Sequence, residues 1–371
     1  MAAQVLQPRQ PGTGDAMAWR HDSFSSPRDY TFELADADRA QMLATLTALA
    51  SRGALADPTL LKRADFAWGG FGQQLTAAFE QVKSGRGFAL IRGLPLEVDL
   101  EQFIAAVWGV GTYFGSPLSQ NTDGELIGHV IDASKQDATP RMYRSNLELR
   151  LHSDMTAMIS LACWQKSLSG GASVLTSGVT VHDEIARRAP HLLEPLYRGF
   201  HYHRLGEEGP DEEPVTPYRM PVFARVGGQL SCRYQRAGIA AGHAGAGMPL
   251  TEIELEAMDV FDEVARAPEN RLAFFLERGD MLVVNNYAVM HARTRFEEYP
   301  EAEKRRHLIR LWLDAPDFRQ VPEELSLFKV NGIPPQPGRR CTYDFKKLYG
   351  ENPRASGGVP NMGIDETKIV R

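Results

Sequence analysis

The sequence predicts a mainly β protein with flanking helices, an antiparallel sandwich or jelly roll. Three observations carry this. Short apolar runs between Gly- and Pro-rich turns dominate from about residue 125 onward; strand–helix–strand units that would build a parallel sheet are few; and the clearest helical periodicity lies in the first 113 residues. A chain of 371 residues suffices for one large domain or two. No repeat or low-complexity linker divides it. The expected organisation is a mobile leader over 1–17, rich in Gln, Pro and Gly, a single domain over 18–351, and a tail over 352–371 of similar character.

In chain order, 35–52 opens with Asp and places Met42, Leu43, Leu46 and Leu49 at helical spacing. Segments 72–83 and 100–113 read likewise as helices, on either side of a strand at 87–92 that Gly93-Leu-Pro95 closes. Strands follow at 126–131, 147–151, 157–165, 173–175, 199–204, 222–226 and 230–234. Helices interrupt at 181–189 and 252–267. Three final strands are expected at 271–276, 281–285 and 307–313. The helices would pack on the outside.

Composition narrows the function classes. The net charge is −6, which disfavours a nucleic-acid or anionic-membrane footprint, since both need clustered Lys and Arg. No apolar run approaches the ~20 residues of a membrane-spanning helix, and no secretory signal opens the chain. Cys163, Cys232 and Cys341 are far apart and form no CxxC, so neither a disulfide framework nor a Cys-rich zinc site is expected. A reducing, cytoplasmic compartment fits. The expected partner is a small molecule, with association of identical chains left open.

The histidines carry the chemistry. An iron site is often built from two His and one carboxylate, leaving neighbouring positions free for other ligands. Its local form is His-x-Asp/Glu, which occurs at His152-Ser153-Asp154 and at His182-Asp183-Glu184. Residues i and i+2 share a face of a strand but diverge on a helix. His182 opens an expected helix, so it reads as a surface histidine. His152 ends LELRLHSD, where Leu147, Leu149 and Leu151 point one way and Glu148, Arg150, His152 and Asp154 the other. His152 and Asp154 can therefore chelate together.

Further on, Gly279-Asp280 turns into MLVVNN, and His291 follows. The strand at 307–313 is preceded by Arg306, which shares a face with Leu308, Arg310 and Trp312. Two arginines on one face imply an anion or paired carboxylates, although an exposed edge strand using charge against aggregation would carry them too. His201-Tyr202-His203 has chelating spacing but no third ligand, so surface strand histidines are expected there. The acidic stretch 205–217 reads as solvent-facing.

Taken together these residues resemble the TauD/TfdA family of non-haem iron, 2-oxoglutarate-dependent dioxygenases, from RGFALIRGLP at 86–95 to RHLIRLWL at 306–313. The resemblance implies a double-stranded β-helix, or jelly roll. It implies Fe(II) bound by His152, Asp154 and His291, with 2-oxoglutarate and O2 as cosubstrates. Arg306 would bind the far carboxylate of 2-oxoglutarate, helped by Ser173 of Gly170-Gly171-Ala172-Ser173, where the family has Thr. Arg310 would bind an anionic group of the substrate.

The implied activity is oxidation of a C–H bond of a small molecule, with hydroxylation as the default outcome and succinate and CO2 released. The intact Asp154 argues against halogenation. Tyr143, Ser145, Asn146 and Glu148 stand where such enzymes place substrate contacts, and plain turn polarity explains them equally well. The loop 114–121 is a candidate for a loop beside the site, and Tyr234-Gln235-Arg236 for a pocket wall or lid. A catalytically silent binding module and a zinc hydrolase remain as alternatives; the latter would leave Arg306 and Ser173 without a role.

Overall fold

The early helices form where the periodicity places them, and they build one layer of the molecule. The computed structural model describes residues 15–133, 144–336 and 338. Tyr143, Cys341, the expected tail over 352–371 and residues 1–14 of the expected leader lie outside the described residues. Helix α1 (Asp36–Ser51) buries Met42, Leu46 and Leu49. Its cap is Ala35, and Asp36 and Asp38 sit in the first turn, where acidic groups favour the helix dipole. Helix α2 (Gly69–Lys83) buries Phe71, Leu75, Ala78 and Val82. Helix α3 (Leu100–Gly111) starts with a capping box between Asp99 and Gln102.

The strands are β1 (Thr31–Glu33), β2 (Phe88–Arg92), β3 (Ser116–Leu118), β4 (Ile127–Val130), β5 (Leu149–His152), β6 (Met158–Gln165), β7 (Ser169–Gly170) and β8 (Ser173–Ser177). They continue as β9 (Phe223–Val226), β10 (Gln229–Cys232), β11 (Arg271–Phe274), β12 (Met281–Asn285), β13 (Val289–Arg293), β14 (Phe296–Glu297) and β15 (His307–Asp314). The major sheet has seven strands in the order β1-β2-β12-β6-β15-β3, with β4 also pairing β15. Only β1 and β2 pair in parallel within it. The minor sheet runs β11-β8-β13-β5, all antiparallel, and β9-β10 and β7-β14 form two small ladders.

Side chains alternate across the major sheet as the two-residue period requires. Ala89, Ile91, Met281, Val283, Ile309, Leu311 and Leu313 join one apolar cluster with α1, α2 and α3. Leu90, Leu282, Val284, Leu308 and Trp312 face the other way, into a cluster shared with Leu151, Val174, Leu175, Val289 and Ala292 of the minor sheet. Helices α4 (Gly178–Arg188), α5 (Leu193–Arg198), α6 (Arg236–Gly245) and α7 (Glu252–Arg266) contribute to that second cluster.

Several expectations need correction. Helices hold more of the described chain than strands do, so the composition is mixed α and β. Segment 199–204 makes only isolated bridges, Phe200 to Met220 and His203 to Val215, and is no strand. Met17, at the end of the expected leader, is buried, and its carbonyl accepts from Ser177 Oγ–H. His182 is fully buried, with Nε2 2.9 Å from the Tyr197 hydroxyl, where a surface histidine was expected. In the acidic stretch, Glu207 turns inward and accepts from the backbone N–H of Thr122 at 2.7 Å.

Candidate active site

Neighbouring strands of the minor sheet bring the far ends of the motif together. The β5–β13 register pairs His291 directly with His152, and their ring centroids lie 4.3 Å apart. Asp154 sits just past the end of β5. One ligand atom from each of His152, Asp154 and His291 lies within 4.8 Å of the others, and no other such His/Cys/Asp/Glu group occurs among the described residues. The second local match, at His182, is tied up with Tyr197 and Asp183 instead.

Hydrogen bonds orient the three side chains. His152 Nδ1 lies 2.8 Å from the Arg150 carbonyl, which only accepts, so Nδ1 carries the proton and Nε2 offers a lone pair. That Nε2 lies 3.4 Å from Asp154 Oδ1. The other carboxylate oxygen, Oδ2, accepts from the Trp312 indole N–H at 3.0 Å and lies 3.7 Å from Arg310 Nη1. One oxygen is thus held and the other faces the imidazoles. Burial opposes ionisation of Asp154, but the adjoining His152 and the charge of Arg310 outweigh it and hold the carboxyl well below its usual range. Burial, then repulsion from His152, pushes His291 down to about 3, so its imidazole is neutral near pH 7. Its Nδ1 is buried without a hydrogen-bond partner among the described residues. Two imidazoles beside a carboxylate suit a divalent iron.

The two arginines of the last strand also turn inward. Arg310 is buried, and its Nε donates to Gln120 Oε1 at 2.6 Å. The Gln120 amide nitrogen donates to the carbonyls of Leu126 and Arg310, which fixes the amide orientation. Gly128, opposite Arg310 in the ladder, has to be glycine: a Cβ there would stand 2.6 Å from Gln120 Oε1. Gln120 comes from the loop 114–121 expected near the site.

Arg306 is buried against the Phe296 ring, 5.0 Å from its centroid, and its Nη1 has no partner among the described residues. Gly170 and Gly171 have φ of +69° and +80°. A Cβ on Gly171 would stand 3.5 Å from Arg306 Nε and 3.4 Å from Phe296 Cβ. The glycine pair therefore lets the chain turn close beside Arg306. Ser173 lies opposite Arg293 in the minor sheet, and Arg293 rests on the same Phe296 ring at 4.6 Å. The Arg306 backbone N–H donates to Glu298 Oε2 at 2.8 Å. Burial pushes Glu298 up to about 7 despite this bond and the Arg306 charge.

Tyr234 is not a pocket wall. Its side chain is fully buried with the ring 4.1 Å from Phe261, and only its carbonyl serves the site, accepting from the Ser153 N–H at 2.9 Å. Asn146 is half-buried in the turn before β5, and its carbonyl accepts from the Phe296 N–H. His201 and His203 bond to Thr216 and Leu205 and stay apart from the metal group. Trp312 and Arg233 are site residues that the sequence reading does not single out. Alternation with Arg310 on β15 is the signal for Trp312; Arg233 has none.

Comparison with known proteins fits this geometry. The family model for taurine catabolism dioxygenase TauD, TfdA family, matches residues 58–312. The FR-33289 synthase of Streptomyces rubellomurinus is 32% identical over 332 residues, covering 86% of this chain and 94% of that protein. A taurine hydroxylase-like protein of Stachybotrys chartarum is 26% identical over 80% of this chain and 78% of its own. Among solved structures, an asparagine oxygenase in complex with Fe(II), (2S,3S)-3-hydroxyasparagine and succinate superposes with a TM-score of 0.59. It has 18% identity and covers 76% of this chain and 93% of its own. The non-haem iron oxygenase OrfP, in complex with Fe and alpha-ketoglutaric acid, gives 0.58 at 14% identity, over 82% and 99%. These two solved structures share the fold. By the extent of the family match and the 32% relative, the chain belongs to the TauD/TfdA family and is an Fe(II)- and 2-oxoglutarate-dependent dioxygenase.

Proposed function

We propose that this dioxygenase hydroxylates a C–H bond of a small anionic molecule, at an iron site of His152, Asp154 and His291 within a double-stranded β-helix. Bound iron, with 2-oxoglutarate and O2, supplies the oxidising power for the C–H bond, and the cosubstrate leaves as succinate and CO2. Asp154 would hold the metal through Oδ1, since Trp312 and Arg310 engage Oδ2. Arg306 pairs with the far carboxylate of 2-oxoglutarate, assisted by the Ser173 hydroxyl; a guanidinium shielded from water makes the stronger pair. Arg310 presents its charge to an anionic group of the substrate, and Asn146 lines the approach. We place the enzyme in the reducing cytoplasm, which suits its buried free thiols at Cys163 and Cys232.

One observation carries the substrate class. Arg310, pinned by Gln120, touches the carboxylate of the metal group, so its charge stands at the reaction centre. Two solved structures of this fold hold amino acids, 3-hydroxyasparagine and, in OrfP, (3S)-hydroxy-L-Arg, each of which carries an α-carboxylate. The test is a panel of amino acids, sulfonates, phosphonates and uncharged analogues, read as succinate formed under Fe(II), 2-oxoglutarate and O2. Acidic compounds should stimulate turnover. Equal stimulation by uncharged analogues would overturn the anionic assignment. With the best substrate, Arg310→Ala should raise substrate KM at least about tenfold, the worth of one charge-assisted hydrogen bond, and leave 2-oxoglutarate KM nearly unchanged.

A further inference from the structure

Arg233 is a cation with 0% exposure, and among the described residues no carboxylate forms an ion pair with it. Burying a charge this way costs several kcal/mol unless its donors are satisfied. The terminal donors go to one place. Nη1 donates to the Asp154 carbonyl at 2.9 Å and Nη2 to the Thr156 carbonyl at 3.1 Å. Met155 Sδ lies 3.4 Å from Nη1, and the guanidinium rests 4.8 Å from the Tyr287 ring centroid. The fork therefore spans the turn that carries Asp154, contacting three successive residues.

The segment around Arg233 is itself anchored, and Tyr234 reaches the same turn. The Arg233 N–H donates to the Val222 carbonyl, the Cys232 N–H to Tyr287, and the Tyr234 carbonyl receives the Ser153 N–H. From the other side, Asn286 Oδ1 meets the Asp154 N–H at 3.4 Å. Asp154 lies beyond the end of β5, so no ladder fixes it. A planar guanidinium can bridge carbonyls two residues apart; an ammonium, one point charge, cannot do so in the same geometry.

We propose that Arg233 is a positioning residue that fixes the Asp154 turn in the geometry that receives the metal. This rests on the metal assignment proposed above. The test titrates the metal-free protein with Co(II), followed by its visible bands, and measures Tm of the metal-free form beside it. Arg233→Met should weaken Co(II) binding about 10- to 100-fold, the usual effect of removing a group that orients a ligand. Arg233→Lys should recover part of the loss. Phe71→Leu, in the helical layer on the far side of the major sheet, serves as a control that lowers Tm without touching the turn.

Binding by Arg233→Met within about twofold of the parent would overturn the proposal, as would an equal loss in Phe71→Leu. Should Arg233→Met fail to fold, Arg233→Lys decides the matter by the same comparison. Failure of the underlying reading looks different: the parent would then bind Co(II) no more tightly than Asp154→Ala.

Discussion

The two faces of β15 set the same backbone to opposite purposes. Outward, Ile309, Leu311 and Leu313 enter the apolar layer under α1, α2 and α3. Inward, Arg306, Arg310 and Trp312 surround the carboxylate of Asp154 and the glycine turn at 170–171. Both faces are buried, so exclusion from water does not distinguish them. The outer face gains by removing hydrocarbon from water. The inner face spends some of that stability, since Arg306 and Arg310 are both buried there, Arg310 beside the Asp154 carboxylate. A surplus of positive charge suits a site that must receive 2-oxoglutarate, a dianion, beside a cationic metal.

The largest effect should come from removing the one anion at that centre. Asp154→Ala is expected to abolish Fe(II)-dependent succinate formation, with or without substrate, while circular dichroism of the metal-free chain stays that of the parent. His182→Ala should leave turnover in place, because that imidazole bonds Tyr197 and Asp183 and is not part of the metal group. Substantial turnover in Asp154→Ala would remove the inner face from the chemistry altogether.

The contrast between faces also explains what the sequence conveyed. Period-two alternation made β15 readable to within a residue, arginines included, because its two faces differ in polarity. Strand β13 was unreadable: VMHAR is buried along its whole length and shows no alternation. Strands β1 and β3, at three residues each, fall below any periodic signal. Helix α6 hides in RAGIAAGHAG, whose glycines lower helix propensity.

At the site, His152 and Asp154 were legible because chelation needs only a two-residue spacing on extended chain, and Arg310 because it shares a face with Arg306. Gln120 and Arg233 meet the site only through the fold, the former across 190 residues from Arg310. Tyr234 misled because a strand-end tyrosine looks the same in sequence whether it lines a pocket or, as here, packs on Phe261.

A smaller effect tests the outer face. Leu311→Ala removes a side chain that is 1% exposed in the apolar layer. It should cost about 2–5 kcal/mol of stability, measured by urea denaturation, and leave Co(II) affinity unchanged. A coupled loss of metal affinity would mean that the outer layer sets the geometry of the inner one.

The smallest effect lies at the junction of the faces, where Glu298 accepts from the Arg306 N–H. Burial raises its pKa from 4.5 to about 7. An acid raised in the folded state binds more protons folded than unfolded between those values, so stability falls as pH rises from about 4.5 to 7. Glu298→Gln keeps the acceptor oxygen without the titration. It should flatten that part of the stability–pH curve, gaining up to about 2 kcal/mol at pH 7 after allowance for partial exposure. A slope identical to the parent's would show that Glu298 ionises freely, and that the Arg306 charge rather than burial governs this edge of the site.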